Sequence, residues 1–216
     1  VAGHTVLSYD DAADTADEAL VALKIPSIDL RGDEAYLKRF MLEEWVARRL
    51  NSAHVLKPRI QSRKPNFLYV AMEFVEGQTL AQWMIDNPKP DLETVRGIIE
   101  QVARGLQAFH RREMLHQDIR PANIMIDDDG VTGVLMDFGS TTRARIKISN
   151  RREAVAQQDV ASVHTSMPYR APELFDVKTD TILDEKVDIW SLGCTLYAMA
   201  YLHSPFETPS TVEQGG

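Results

Sequence analysis

Compact runs of apolar residues mark the first third of the chain and predict strands. These runs cover residues 1–7, 19–25 and 67–75. The second run carries a lysine, Lys24. After it, Asp33 precedes apolar residues at roughly helical spacing, which predicts a helix that ends before residues 51–58. This part of the chain therefore predicts a small sheet and one helix.

The remaining sequence predicts mostly helices. Asp91 is a good N-cap for a long amphipathic helix, and Asp188 begins a last apolar helix. Apolar runs at 124–126 and 131–136 flank an Asp-Asp-Asp-Gly turn and predict a hairpin. Residues 140–169 are polar without a strong period, which is typical of a functional or disordered loop. Strands followed by helices predict an α+β fold or two lobes.

Composition narrows the classes of protein. The chain has 216 residues with 24 basic and 32 acidic side chains, a net charge of -8. We expect no nucleic-acid partner, because the sequence shows no basic stripe. The single cysteine, Cys194, excludes an internal disulfide. No apolar stretch is long enough for a membrane segment and no signal peptide is visible, so the expected compartment is the cytoplasm.

Short motifs follow one another in a fixed order along the chain. They are V-A-L-K at 21–24, H-Q-D-I-R-P-A-N at 116–123, D-F-G at 137–139, A-P-E at 171–173 and D-I-W-S-L-G at 188–193. Together they resemble the eukaryotic-type protein kinase family over essentially the whole chain. The resemblance implies a two-lobed kinase fold, with a small lobe at residues 1–75 and a large lobe at residues 76–216. It also implies ATP and Mg²⁺ as cofactors and a protein substrate.

The same resemblance implies roles for the charged residues. Lys24 would neutralise the α- and β-phosphates, with Glu43 as its partner and Glu44 as the alternative. Asp118 would accept or orient the proton of the attacking hydroxyl. Arg120 stands where Ser/Thr kinases usually carry lysine, and would stabilise the γ-phosphate in flight.

Metal and adenine positions are implied in the same way. Asn123 and Asp137 offer the hard oxygen ligands that suit Mg²⁺. An apolar slot would receive the adenine, and each of its apolar residues also suits a plain core position. The implied residues are Val6 and Ala22 as roof, Met125 as floor, Met72 as gatekeeper, and Glu73 to Val75 as the hinge.

Three departures from the family pattern qualify this interpretation. The Gly-rich loop is missing, since Gly3 is not at a motif position. Gln117 replaces the arginine that normally pairs with an activation-loop phosphate. The last family helices are also absent, together with the arginine partner of Glu173, so the sequence predicts a kinase fold truncated at both ends.

The alternatives concern branch and activity. Residues 24–129 contain K-I-P-S-I-D-L-R-G-D and H-R-R-E-M-L-H-Q-D-I-R-P and are similar to bacterial kinases fused to a phosphatase. The sequence from Val134 onward contains V-L-M-D-F-G-S and S-M-P-Y-R-A-P-E-L-F and is similar to the myristoylated and palmitoylated kinase of the Numb-associated group. Ser166 stands at a position typical of Ser/Thr rather than Tyr kinases. A nucleotide-binding or scaffolding pseudokinase is the main rival interpretation, and a small-molecule kinase is a more distant one.

Overall fold

The first part of the chain forms a three-stranded antiparallel sheet and one helix. The computed structural model describes residues 4–8, 20–27, 32–59 and 68–207. The elements are β1 (His4–Ser8), β2 (Leu20–Lys24), α1 (Glu34–Ala47) and β3 (Val70–Glu73). The sheet order is β1-β2-β3. The sequence predictions of these elements are confirmed within the described residues, with β3 shorter than the apolar run that predicted it.

Helix α1 begins where the sequence predicts. The side chain of Asp33 accepts hydrogen bonds from the backbone N–H groups of Ala35 and Tyr36, at 2.9 and 3.1 Å. Such an N-cap satisfies donors that have no partner inside the helix. The buried side of α1 contains Phe40, Glu43, Val46 and Ala47, and so places one acidic residue in an apolar setting.

The rest of the described chain is mainly helical, with short two- and three-stranded sheets. Its elements are β4 (Gly77–Thr79), α2 (Leu80–Asp86), α3 (Leu92–His110), β5 (Met114–Leu115), β6 (Ile124–Asp127), β7 (Gly133–Leu135), β8 (Thr142–Arg143), β9 (Ile146–Lys147), α4 (Arg151–His164), β10 (Ile182–Leu183) and α5 (Lys186–Tyr201). Strands β6 and β7 form the predicted hairpin. Strand pairing also joins β4 to β6, β5 to β8 and β9 to β10.

Helix α3 lies at the centre of the main core, where Ile98, Val102 and Phe109 have no exposed surface. A glycine lets this helix approach the loop that follows α1. A Cβ atom on Gly105 would lie 2.6 Å from the carbonyl oxygen of His54. The same loop is bound to β7, because the N–H of Leu135 donates to His54 O at 3.0 Å. The end of α1 is therefore fixed to the helical part of the chain.

Residues 140–169 are more regular than the sequence predicts. The prediction of a loop without secondary structure is wrong, because this stretch contains β8, β9 and the 14-residue helix α4. Only Ala154 and Ala161 of α4 are buried, so small side chains make its contacts and leave little apolar period to detect. Helix α5 begins at Lys186, two residues before the predicted start, and Asp188 is fully buried inside its first turn.

Two further features bear on the predictions. Residues 10–18 and the stretch before β1 lie outside the described residues. In the described part of the chain, no helix is both long and apolar enough to cross a membrane. The division into lobes between residues 75 and 76 falls between β3 and β4 and stays a prediction.

Candidate active site

Lys24 joins two acidic residues from distant parts of the chain. Its Nζ lies 2.7 Å from Glu43 Oε2 and 3.1 Å from Asp137 Oδ1. Strand β2 supplies the lysine, α1 supplies Glu43, and the segment after β7 supplies Asp137. Of the two glutamates considered, Glu44 instead accepts from Arg48 Nε at 2.9 Å on the outer side of the helix.

The three charged groups shift one another's pKa values. Burial alone would lower the pKa of Lys24, but the carboxylates of Glu43 and Asp137 outweigh it and raise the pKa above its ordinary value. Burial raises the pKa of Glu43, against the opposing effect of Lys24. Burial also acts to raise the pKa of Asp137, yet Lys24 reverses the effect and the net shift is downward. Asp137 therefore stays ionised at neutral pH.

Asp118 is held by three groups of the chain. Its Oδ2 accepts from Asn123 Nδ2 at 2.7 Å and from Arg120 Nε at 3.3 Å. Its Oδ1 accepts from the backbone N–H of Ser166 at 3.0 Å. The last contact was not foreseen from sequence, which marked Ser166 only as typical of Ser/Thr kinases. This carboxylate is fixed in orientation and lies beside the guanidinium group of Arg120.

Asn123 and Asp137 lie at the same end of the β6–β7 hairpin. The N–H of Met136 donates to Asn123 O at 3.0 Å, so the residues that precede β6 and follow β7 are neighbours. Both hydrogen bonds from Asn123 Nδ2 go to Asp118, which leaves the amide oxygen as the group that could bind a cation. An amide oxygen and an ionised carboxylate are a chemically suitable pair for Mg²⁺.

This pair does not make a complete metal site by itself. Among the residues that the structure describes, no group of three His, Cys, Asp or Glu side chains could hold a metal ion. A cation at Asn123 and Asp137 would need further oxygen ligands, which nucleotide phosphates and water supply. The residues present fit a cation that arrives with a nucleotide.

Asp188 orients the backbone that precedes Asp118. Its carboxylate accepts from the N–H of His116 at 3.0 Å and from the N–H of Gln117 at 2.8 Å. His110 Nε2 adds a third contact at 2.9 Å. Gln117 has a φ of 68°, a conformation that costs energy for a residue with a Cβ. Sequence analysis recognised the motif around Asp188 but not this function.

Phe138 anchors the segment that carries Asp137. It is fully buried, and its ring centroid lies 5.4 Å from that of Phe109 and 5.9 Å from that of His116. His116 is also buried, and its Nε2 lies 3.2 Å from Met136 O. His116 is therefore a packing and hydrogen-bonding residue of the core.

Gln117 binds the segment that follows Asp-Phe-Gly. Its side-chain Nε2 donates to Thr142 Oγ1 at 2.6 Å, and Gln117 itself is 4% exposed. An arginine at this position would present a positive charge, whereas the amide makes a neutral hydrogen bond with β8. The contact joins β8 to the residue immediately before Asp118.

The residues implied for the adenine slot are only partly brought together. Ala22 pairs with Val6 on β1 and with Met72 on β3, and Met72 is buried. Glu73 is bound to Lys57 through its backbone N–H, at 2.9 Å. Met125 lies in a different sheet, on β6, where it pairs with Thr79 of β4 and Val134 of β7. Val75 follows β3. Adenine binding by these residues stays a prediction.

Comparison with known proteins agrees with the motifs. The model of the protein kinase domain matches residues 8–215. Serine/threonine-protein kinase 16 of Mus musculus is 44% identical over 106 residues, 49% of this chain and 34% of that protein. Serine/threonine-protein kinase ppk13 of Schizosaccharomyces pombe is 49% identical over 133 residues, 61% of this chain and 38% of that protein.

A bacterial relative covers more of the chain. Serine/threonine-protein kinase PknL of Mycobacterium bovis is 31% identical over 195 residues, 89% of this chain and 45% of that protein. The chain thus spans less than half the length of these relatives. Because the family model covers nearly all of its residues, the chain belongs to the protein kinase domain family.

Proposed function

We propose that this chain is the catalytic domain of an ATP-dependent protein kinase that phosphorylates Ser and Thr hydroxyls. The observation that carries the proposal is the position of Lys24 between Glu43 and Asp137, at 2.7 and 3.1 Å. The ion pair holds a cation where the family motif requires one for the nucleotide phosphates. The names of the relatives, all Ser/Thr kinases, support the residue type that is phosphorylated.

In the proposed reaction, the substrate hydroxyl oxygen forms a bond with the γ-phosphorus while the bond to the bridging oxygen of ADP breaks. The hydroxyl proton passes to the Asp118 carboxylate. Arg120, within 3.3 Å of that carboxylate, offers positive charge to the phosphoryl group. Ser166 and Asn123 keep Asp118 in one orientation, so positioning makes a large contribution to the rate.

Mg²⁺ is the proposed metal, bound through Asn123 Oδ1 and the Asp137 carboxylate. It would neutralise phosphate charge when it arrives with ATP. The proposed adenine residues are those implied by the motifs: Val6, Ala22, Met72, Glu73, Val75 and Met125. The register of Ala22 with Met72 supports this part of the proposal.

A pseudokinase is the alternative. Gln117 favours it, because the residue before Asp118 departs from the family pattern. Against it, the chain has every charged or amide residue that the motifs imply for transfer: Lys24, Glu43, Asp118, Asn123 and Asp137. Lys24 contacts both Glu43 and Asp137 directly. We favour the active enzyme, since a pure nucleotide-binding module does not need Asp118 to be fixed by Ser166, Arg120 and Asn123.

We further propose a branch and a compartment. The sequence from Val134 onward groups with the Numb-associated kinases, and residues 24–129 with bacterial kinases linked to phosphatases. The motifs V-L-M-D-F-G-S and S-M-P-Y-R-A-P-E-L-F support the first assignment. A cytoplasmic location and the lack of a nucleic-acid partner follow from composition and rest on the sequence alone.

The experiment is transfer of labelled phosphate from Mg-ATP to a general protein substrate such as casein, followed by acid hydrolysis. The proposal predicts labelled phosphoserine and phosphothreonine and no labelled phosphotyrosine. A Lys24→Met variant is the matched control for contaminating kinases. Tight ATP binding without any transfer by the unmodified chain would favour the pseudokinase.

A further inference from the structure

A cavity of about 810 Å³ lies between α1 and the segment that follows Asp-Phe-Gly. We call it the α1 cavity; it is bounded by residues 42–49, residues 112–114, and residues 141–146. Its volume falls within the range of about 300–1,000 Å³ that is typical of ligand sites. Lys24, Asp118 and Asp137 do not line it, so it is separate from the proposed active site.

One wall of the α1 cavity is apolar. Leu42, Val46, Met114 and Ile146 line it, together with Trp45, which is 47% exposed. An exposed tryptophan at the edge of a cavity is a typical anchor for a partner side chain. This wall suits an aliphatic or aromatic side chain and is poorly suited to a free phosphate ion.

The rest of the α1 cavity is strongly basic, although the whole chain has a net charge of -8. It is lined by four arginines and one glutamate: Arg49, Arg112, Arg143, Arg145 and Glu113. Arg145 is paired with Glu185 at 3.0 Å, and Arg49 lies over the ring of Trp45 at 3.6 Å. In the part of the chain that the structure describes, no carboxylate lies within salt-bridge distance of Arg112 or Arg143.

We propose that the α1 cavity binds an acidic peptide segment of a partner protein, with an apolar side chain against Trp45 and flanking carboxylates on Arg112 and Arg143. Guanidinium groups bind carboxylates through paired hydrogen bonds, and the surrounding apolar wall provides the contact area that a small anion cannot use. The charge complementarity selects acidic over neutral segments of the same apolar content.

The test measures binding and requires no phosphotransfer, so loss of kinase activity would count only against the proposed function. A fluorescein-labelled Glu-Glu-Leu-Leu-Glu-Glu peptide is titrated with the purified chain and followed by anisotropy. We expect saturable binding to the unmodified chain. In an Arg112→Glu/Arg143→Glu variant the Kd should rise at least tenfold, which corresponds to a loss of about 1.4 kcal/mol in binding free energy. High salt should also weaken binding, because the Debye length falls from about 10 Å at 0.1 M to about 3 Å at 1 M, which screens the attraction between exposed charges.

A charge-matched control separates this site from general electrostatics. Lys89→Glu/Lys178→Glu changes the net charge equally at exposed residues that do not line the cavity, and should bind the peptide as the parent does. Binding should also change the fluorescence of Trp45, and a Trp45→Phe variant should lose that change while keeping the anisotropy signal.

Several results would overturn the proposal. These are no binding at millimolar peptide, equal binding by both charge-reversed variants, or equal binding of a Gln-Gln-Leu-Leu-Gln-Gln peptide. Stronger competition by a single-stranded oligonucleotide than by the acidic peptide would also contradict it. So would self-association of the chain that the Arg112→Glu/Arg143→Glu variant abolishes, because the occupant would then be a second copy.

Discussion

The carboxylate of Asp188 accepts a hydrogen bond of 2.8 Å from the backbone N–H of Gln117, although the two residues are 71 positions apart. This contact links the first turn of α5 to the residue immediately before Asp118. Because Gln117 has a φ of 68°, the backbone there needs external support to keep its conformation. The position of the proposed proton acceptor thus depends on a helix that makes no contact with the nucleotide in our account.

Asp188→Ala should lower both stability and activity. It leaves the N–H groups of His116 and Gln117 buried without an acceptor, and each such group costs about 1–3 kcal/mol. We expect a loss of about 2–4 kcal/mol in the free energy of unfolding, measured by denaturant titration. Asp188→Asn, which keeps one acceptor oxygen, should lose less. Equal stability of Asp188→Ala and the parent would refute the role of this carboxylate.

The two neighbouring glutamates of α1 should respond differently to the same substitution. Glu43→Gln removes the charge that faces partly buried Lys24, and we expect the KM for ATP to rise about tenfold, equivalent to about 1.4 kcal/mol. Glu44→Gln removes only an exposed pair with Arg48, worth about 0–1 kcal/mol, and should leave the KM unchanged. Steady-state kinetics on both variants checks this, and a larger effect at Glu44 would contradict the assignment.

Activity should not require a phosphate on the segment after Asp-Phe-Gly. Gln117 is joined to Thr142 by a neutral hydrogen bond of 2.6 Å, and an amide cannot pair with a phosphate as arginine does. Phosphatase treatment should therefore change the rate by less than about twofold. Thr142→Val should reduce stability by about 1–3 kcal/mol because it leaves the buried amide donor unpaired, whereas Thr142→Ser keeps the acceptor. A large loss of rate after phosphatase treatment would show that a residue other than Gln117 binds an activating phosphate.

Lys24 should make the chain sensitive to alkaline pH. Its pKa is raised in the folded state, since Glu43 and Asp137 outweigh the effect of burial. Its contribution to stability is thus fully present below the unfolded pKa of about 10.4 and is lost as pH rises through the higher folded value. Thermal melts from neutral to strongly alkaline pH should show a decline that a Lys24→Met variant lacks. Parallel curves for the two proteins would contradict the ion-pair account.

Sequence patterns predicted the elements whose packing follows a simple period. Helix α3 has a continuous apolar side and an Asp91 cap, and both can be read from residue types. Helix α4 could not be found in this way, because it packs only Ala154 and Ala161 into a cluster supplied by distant residues. Its N-cap residue, Asn150, accepts a hydrogen bond from Glu153 N at 3.0 Å. Asparagine is a preferred residue at the start of a helix, so this position is the local sequence signal for α4.

The sequence predicts the residue types of the candidate site better than the contacts between them. Motif order predicts site roles for Lys24, Asp118, Asn123 and Asp137, because phosphate and metal binding require those residue types. Contacts such as those of Ser166 with Asp118 and Gln117 with Thr142 join parts of the chain 48 and 25 residues apart. Such pairs depend on the packed fold, so no local pattern indicates them.

The most direct test compares the unmodified chain with Asp118→Asn and Asp137→Asn. Labelled phosphate transfer from Mg-ATP to casein and equilibrium binding of ATP are measured for all three proteins. Our account predicts that Asp118→Asn keeps ATP binding and loses transfer by roughly 10²–10⁴-fold, whereas Asp137→Asn also weakens Mg-ATP binding. Transfer by Asp118→Asn at close to the unmodified rate would contradict the account.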